Sequence, residues 1–225
     1  MAIERLGDYY AQSGYASINY TLLDGINRLI IVLVGLQDDE ENGLSAVTLD
    51  GVAIRGAAAT GWSADNRLAY VGYWLEEDLP AENGDYTIAF SGNDIDHIGI
   101  AVRTYQYVKQ QAPEDTDTQQ LQLERYPYVT LTTTALAIQV GAFCINDGAP
   151  AGITKNEWDT GLGIALAQQY AELCDVYRGA GANTINMGFS NNNYNTQAAG
   201  ASFAAASDEE NHPIKVLQVQ LGVPR

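Results

Sequence analysis

The chain has 225 residues, a mass of 24.3 kDa and 46% hydrophobic residues, enough for one large β-sandwich or two small domains with a sizeable core. Eleven Lys+Arg against 28 Asp+Glu give a formal net charge of −17. That balance excludes recognition of a phosphate backbone through cations and disfavours anionic membrane surfaces, while it favours solubility and would suit a basic partner surface.

In chain order, residues 1–24 read as an N-terminal arm and a first strand. The arm holds Tyr9, Tyr10 and Tyr15, and residues 17–23 alternate before the turn dipeptide Asp24-Gly25. The opening M-A-I-E-R-L-G-D-Y-Y has neither a basic nor an apolar signal region, so no secretory leader is expected. Residues 27–36 form an Ile- and Val-rich buried strand, too short to cross a bilayer. A charged loop, 37–43, precedes a hairpin made of 45–49, the turn Asp50-Gly51 and 52–55. Strand 67–75 is aromatic and alternating; Leu79-Pro80 ends it, and strands follow over 84–91 and 97–108. The polar, acidic stretch 110–125 reads as a linker. Strand resumes over 128–134 and 135–145. In 161–177, Leu162, Ala165, Leu166, Leu173 and Val176 would share one helix face, but the internal repeat argues for strand over 171–178. Residues 213–221 alternate and predict a last strand, with Ile214, Val216, Leu217 and Val219 as candidates for contact with a neighbouring subunit.

The repeat is visible in the letters. Gly84 opens G-D-Y-T-I-A-F-S-G-N and Gly181 opens G-A-N-T-I-N-M-G-F-S-N-N, while L-I-I-V-L-V-G at 29–35 is echoed by L-A-I-Q-V-G at 136–141. The period is far longer than a solenoid unit and reads as two related β-layers. The expected fold is all-β: a two-sheet antiparallel β-sandwich of jelly-roll or Greek-key type, spanning 25–207. Its two related halves are 25–109 and 126–207, with the linker 110–125 between them and a C-terminal strand or tail over 208–225. Such sheets must cover their edges, and a symmetric oligomer, most simply a trimer, is one way.

Catalytic apparatus is hard to find. His97 and His212 are the only histidines; His97 follows Asp96, yet neighbours on a strand point to opposite faces. Two scattered histidines do not make a zinc site, and Cys144 and Cys174 fit no metal spacing and read as buried free thiols. Gly200-Ala201-Ser202-Phe203-Ala204 lacks the second glycine of a nucleophile elbow, and no phosphate loop or dinucleotide fingerprint occurs. Glu157-Trp158-Asp159 puts two carboxyls on one strand face, as a retaining glycosidase requires, but no third acid follows. The acids of 38–42 and 93–96 offer oxygens without the spacing of a calcium loop. No cofactor and no metal are therefore expected. Trp62, flanked by Gly61 and Ser63, is the aromatic best suited to a contact surface, with Trp158 next.

The segments D-G-I-N-R-L-I at 24–30, S-A-V-T-L-D-G at 45–51, Y-W-L at 73–75 and L-P at 79–80 resemble a group of β-sandwich domains found in bacteriophage particle proteins and bacterial surface or secreted proteins. The likeness covers most of the first half and, more weakly, the second; its motif residues mark turns and core. The resemblance implies a structural virion protein, a capsid decoration or cement component made in the host cytoplasm, with itself and the major capsid protein as partners. A carbohydrate- or receptor-binding module of tail-fibre type is the alternative, and a glycosidase resting on Glu157 and Asp159 a remote one.

Overall fold

The computed structural model describes residues 2–12, 17–37, 44–60, 67–92, 97–124, 126–145, 154–156, 160–166, 169–188, 194–207 and 210. Among these, the first half contains β1 (Glu4–Gln12), β2 (Ser17–Leu22), β3 (Leu29–Gln37), β4 (Ala46–Leu49), β5 (Val52–Ala53), β6 (Arg55–Ala59), β7 (Arg67–Leu75), β8 (Gly84–Ser91) and β9 (His97–Gln106). The second contains β10 (Asp115–Glu124), β11 (Tyr128–Thr133), β12 (Ala137–Ile145), β13 (Thr154–Asn156), β14 (Thr160–Leu166), β15 (Gln169–Arg178), β16 (Gly181–Gly188) and β17 (Tyr194–Ala204). A 3-10 turn, Glu76–Asp78, follows β7.

The strands form four antiparallel sheets. Their orders are β1-β9-β3-β7-β6 and β2-β8-β4-β5 in the first half, and β10-β17-β12-β15-β14 and β11-β16-β13 in the second. The second half thus repeats the pairing order of the first, except that among the described residues it has no counterpart of β5. The two five-stranded sheets face each other across the largest core, which draws Leu29, Ile31, Leu33, Val71 and Tyr105 from one half and Ile138, Val140, Leu173 and Phe203 from the other. The smaller sheets cover the outer faces: Ile18, Leu22, Val47 and Ile88 pack on Ile30, Val32 and Trp74, while Val129, Leu131 and Ile185 pack on Phe143, Ile145 and Val176. The central strands of the inner sheets are therefore buried on both faces, which is why β3 and β12 are continuous apolar runs and β2 and β11 alternate. In the central layer β1 meets β14 and β6 meets β10. One inner sheet lies over the other in reversed strand order, as in a twofold-related pair.

All-β architecture is as expected from the sequence, but each half closes a sandwich of its own instead of supplying one layer. The alternating outer strands have one apolar face each, and that face covers an inner sheet that is apolar on both sides. Residues 4–12 are an edge strand paired with β9, in place of an arm. Most of the expected linker is β10, paired with β17. The acids that made it read as a linker bond instead to the edge of β11: Thr130 N donates to Asp117 Oδ2 (2.8 Å), Thr132 N to Asp115 Oδ2 (2.7 Å) and Thr134 N to Glu114 Oε2 (3.1 Å). Thr160–Leu166 and Gln169–Arg178 are strands, as expected over 171–178. Asp50 (φ 47°) and Gly51 (φ 84°) form the expected hairpin turn, with Leu49 opposite Val52. At the first turn the positive φ falls on Asn27 (51°) rather than on Gly25.

Candidate functional site

The most strongly charged buried site is the seam between the halves. Arg103 on β9 and Asp175 on β15 both point into the central core, at 0% and 1% side-chain exposure. Arg103 Nη1 lies 2.9 Å from Asp175 Oδ1, the Tyr105 hydroxyl donates to Asp175 Oδ2, and Arg5 Nη1 approaches the same oxygen at 3.6 Å. Asp8 sits 3.7 Å from Arg5 Nε and 3.9 Å from Arg103 Nε. Burial, and then the neighbouring Asp175 carboxylate, push the Tyr105 phenol well above its ordinary value, so it acts here as a hydrogen-bond donor. At the other end of the same sheet, Arg67 Nη1 donates to the Asn195 carbonyl of the other half. Arg103 and Arg67 are both buried, and each has a partner on the second half. The cluster fixes how one half sits on the other, and solvent does not reach its centre.

The motif residues Asn27-Arg28 build a second polar corner. Arg28 Nη1 donates to the Leu23 carbonyl (2.9 Å) and to Asn83 Oδ1 (2.8 Å), while its Nε and Nη2 fork onto Glu76 at 3.0 and 2.5 Å. Glu76 Oε2 also accepts the Arg28 amide at 2.8 Å. The hydrogen bond to Glu76 raises the guanidinium pKa further. The corner ties the turn after β2 to the 3-10 turn after β7. Arg55 does the same for the β6 edge through Glu77 (2.6 Å) and Asp78 (2.7 Å).

Two depressions open on the first half. One, of about 410 Å³, lies between the β4–β5 hairpin and strands β6–β7, lined mainly by Leu44, Val47, Ile54, Ala59, Leu68 and Tyr70. Burial pushes the Tyr70 phenol up to about 12. The other, of about 320 Å³, lies between the edges of β1 and β2, lined by Gly7, Asp8, Asn19, Tyr20, Thr21 and Leu23. The first suits an apolar group and the second a backbone or polar one. Neither gathers an acid, a base and a nucleophile.

Tyr9 and Tyr10 fall on the edge strand β1, opposite Val102 and Ala101. Tyr15, Trp62, Ile214, Val216, Leu217 and Val219 lie outside the described residues, as do Glu157, Trp158, Asp159, His212 and the acidic loops 38–42 and 93–96. His97 begins β9 opposite Gln37. Both cysteines are free and buried. Cys144 shares the seam face of β12 with Ala142, while Cys174 packs in the outer core. Among the described residues no three metal-ligating side chains converge, and no helix is long and apolar enough to cross a membrane. Sequence reading passed over Arg103 and Asp175. Their signal was available: each is a charge set between apolar neighbours in a strand, A-V-R-T-Y and L-C-D-V-Y. No protein family matches the chain, and neither a curated protein nor a solved structure matches it.

Proposed function

We propose that this chain is a structural virion protein, a decoration or cement component of a bacteriophage capsid that works through protein–protein contacts. The observation that carries the reading is the tandem architecture: two sandwiches of matching strand order, stacked through their inner sheets and clamped by a desolvated ion pair. In this reading each half is a jelly roll, and the pair descends from a homodimer whose subunits became fused. A four-layer slab holds its outer sheets and edges in fixed relation, which is what a particle surface asks of a bound subunit. The surplus of acids keeps such a protein soluble before assembly. The apolar lining of the larger cleft does not favour a sugar.

Three observations test the proposal. Its gene is expected beside that of a major capsid protein, and mass spectrometry of the purified particles should recover the chain at capsid-like copy number. A gene among metabolic enzymes, or particles that lack the chain, would sink it. Native mass measurement of the purified protein should give a closed oligomer, a trimer in the simplest case.

A further inference from the structure

β2 is an edge strand that the described residues leave open. On its inner side it pairs with β8, Asn19 opposite Thr87 and Thr21 opposite Asp85. The Thr87 carbonyl accepts from Asp50 N (2.9 Å) and the Ser91 carbonyl from Ser45 N (2.7 Å), so the odd-numbered residues of β8 turn their backbone groups towards β4. In an antiparallel ladder the residues opposite them, Asn19 and Thr21, then turn their N–H and C=O groups away from β8. Those groups face the 320 Å³ groove beside Gly7 and Asp8. The matching edge in the second half, β11, is occupied by the carboxylates of Glu114, Asp115 and Asp117. At the β2 edge the corresponding stretch of β1 runs G-D-Y, and no such ladder forms among the described residues.

The chain's own C-terminal segment has the length, position and chemistry to fill this edge. Glu210 is the last described residue, and its carbonyl accepts from Asn27 Nδ2 at 3.1 Å, in the connection from β2 to β3. Its position is held by Ser207, whose amide donates to Glu210 Oε2 (2.7 Å) and whose Oγ accepts from Glu210 N (3.2 Å). Leu23 and Ile26, 37% and 43% exposed, lie at the same place. The fifteen residues 211–225 reach about 50 Å when extended, against about 20 Å for β2. Within them, Leu217, Val219 and Leu221 alternate with Gln218 and Gln220, and Lys215 and Arg225 are unaccompanied by any acid. That is the complement of an edge bordered by Asp8, Asp24 and Asp85. A tether this short gives the segment a millimolar-scale effective concentration at its own edge, which favours the same chain over a second copy. We propose that residues 213–221 return along β2 of the same chain as an added antiparallel strand, closing the outer sheet of the first half. The inference concerns the isolated chain and does not depend on the function proposed above.

The test is amide exchange read by NMR in the full chain and in a chain ending at Glu210, which keeps every described core residue, Ile3 to Ala206. The Asn19 and Thr21 amides should exchange at least about tenfold more slowly in the full chain. Equal rates would overturn the proposal. Protection should survive dilution by about a hundredfold, whereas protection lost together with an oligomer would assign the strand to a second copy and equally overturn it. A labelled peptide of residues 211–225 should bind the shortened chain and, at least about tenfold more weakly, its Asn19→Pro variant, which loses only the outward-facing amide. Failure to bind, or binding indifferent to the proline, counts against the β2 edge.

Discussion

Asp175 answers the charge of Arg103 where water cannot. Asp175→Asn leaves the buried guanidinium only the more distant and part-exposed Asp8 carboxylate, and the expected loss is about 3 kcal/mol in urea unfolding. Asp85→Asn, on an exposed strand position, serves as the control and should change stability by less than about 0.5 kcal/mol. Cys144 offers a second residue-scale readout. Burial pushes its thiol up to about 12 from an ordinary 9, so the proton is held more tightly in the folded chain than in the unfolded one. The contribution to stability is then complete below about pH 9 and is lost as pH rises from 9 towards 12. Unfolding midpoints should be flat on the acid side of that window and fall across it. A thiol reagent at pH 8 should label Cys144 only after denaturant is added, and rapid labelling of the native chain would contradict its placement.

At the scale of elements, two glycines separate conformational from steric effects. Gly51 has φ +84°, and a Cβ there would meet nothing within 4 Å, so Gly51→Ala tests the hairpin turn alone; the expected loss is about 1 kcal/mol. Gly200 on β17 is the opposite case. A Cβ would lie 2.8 Å from Val129 Cγ2 and 3.1 Å from the Val140 carbonyl, so Gly200→Ala presses the inner sheet against β11. Chemical denaturation should register about 1–3 kcal/mol. The internal echo also needs the element scale to be read correctly. Thr87-Ile88 and Thr184-Ile185 occupy matching positions: Ile88 faces Ile18 and Ile185 faces Val129, each inside its own sandwich. Gly35 and Gly141, aligned by letters, do not match in this way. Gly35 shares the seam face with Leu33, whereas Gly141 shares the outer-core face with Phe143. Strand order repeats more faithfully than sequence.

For the whole molecule, the decisive surface is the one each half hides from solvent by covering the other. Leu29, Ile31, Leu33, Val71 and Tyr105 on one side, and Ile138, Val140, Leu173 and Phe203 on the other, would be exposed together if the halves parted. At about 1.5–3 kcal/mol for each large apolar side chain, that interface rivals the stability of a typical domain. The halves should therefore unfold in one calorimetric transition. Residues 1–112 expressed alone should self-associate, since the uncovered five-stranded face has no other shield. Two resolved transitions, with a soluble monomeric first half, would show that the seam is weaker than this packing implies.

Residue order by itself determined the strand class, the Asp50-Gly51 hairpin and the two thiols, because alternation, turn dipeptides and apolar runs act over a few neighbouring residues. It also carries an echo of its first half in the letters of its second. It did not determine how many layers the doubling makes, since an apolar run states that both faces of a strand are covered and not by what. Nor did it separate linker from strand over 110–125, where acids that look solvated in a string bond to the amides of a neighbouring edge. The pairing of Arg103 with Asp175 belongs wholly to the tertiary structure. The two residues lie on different halves, and only the stacking of one sheet on another brings their charges together out of water.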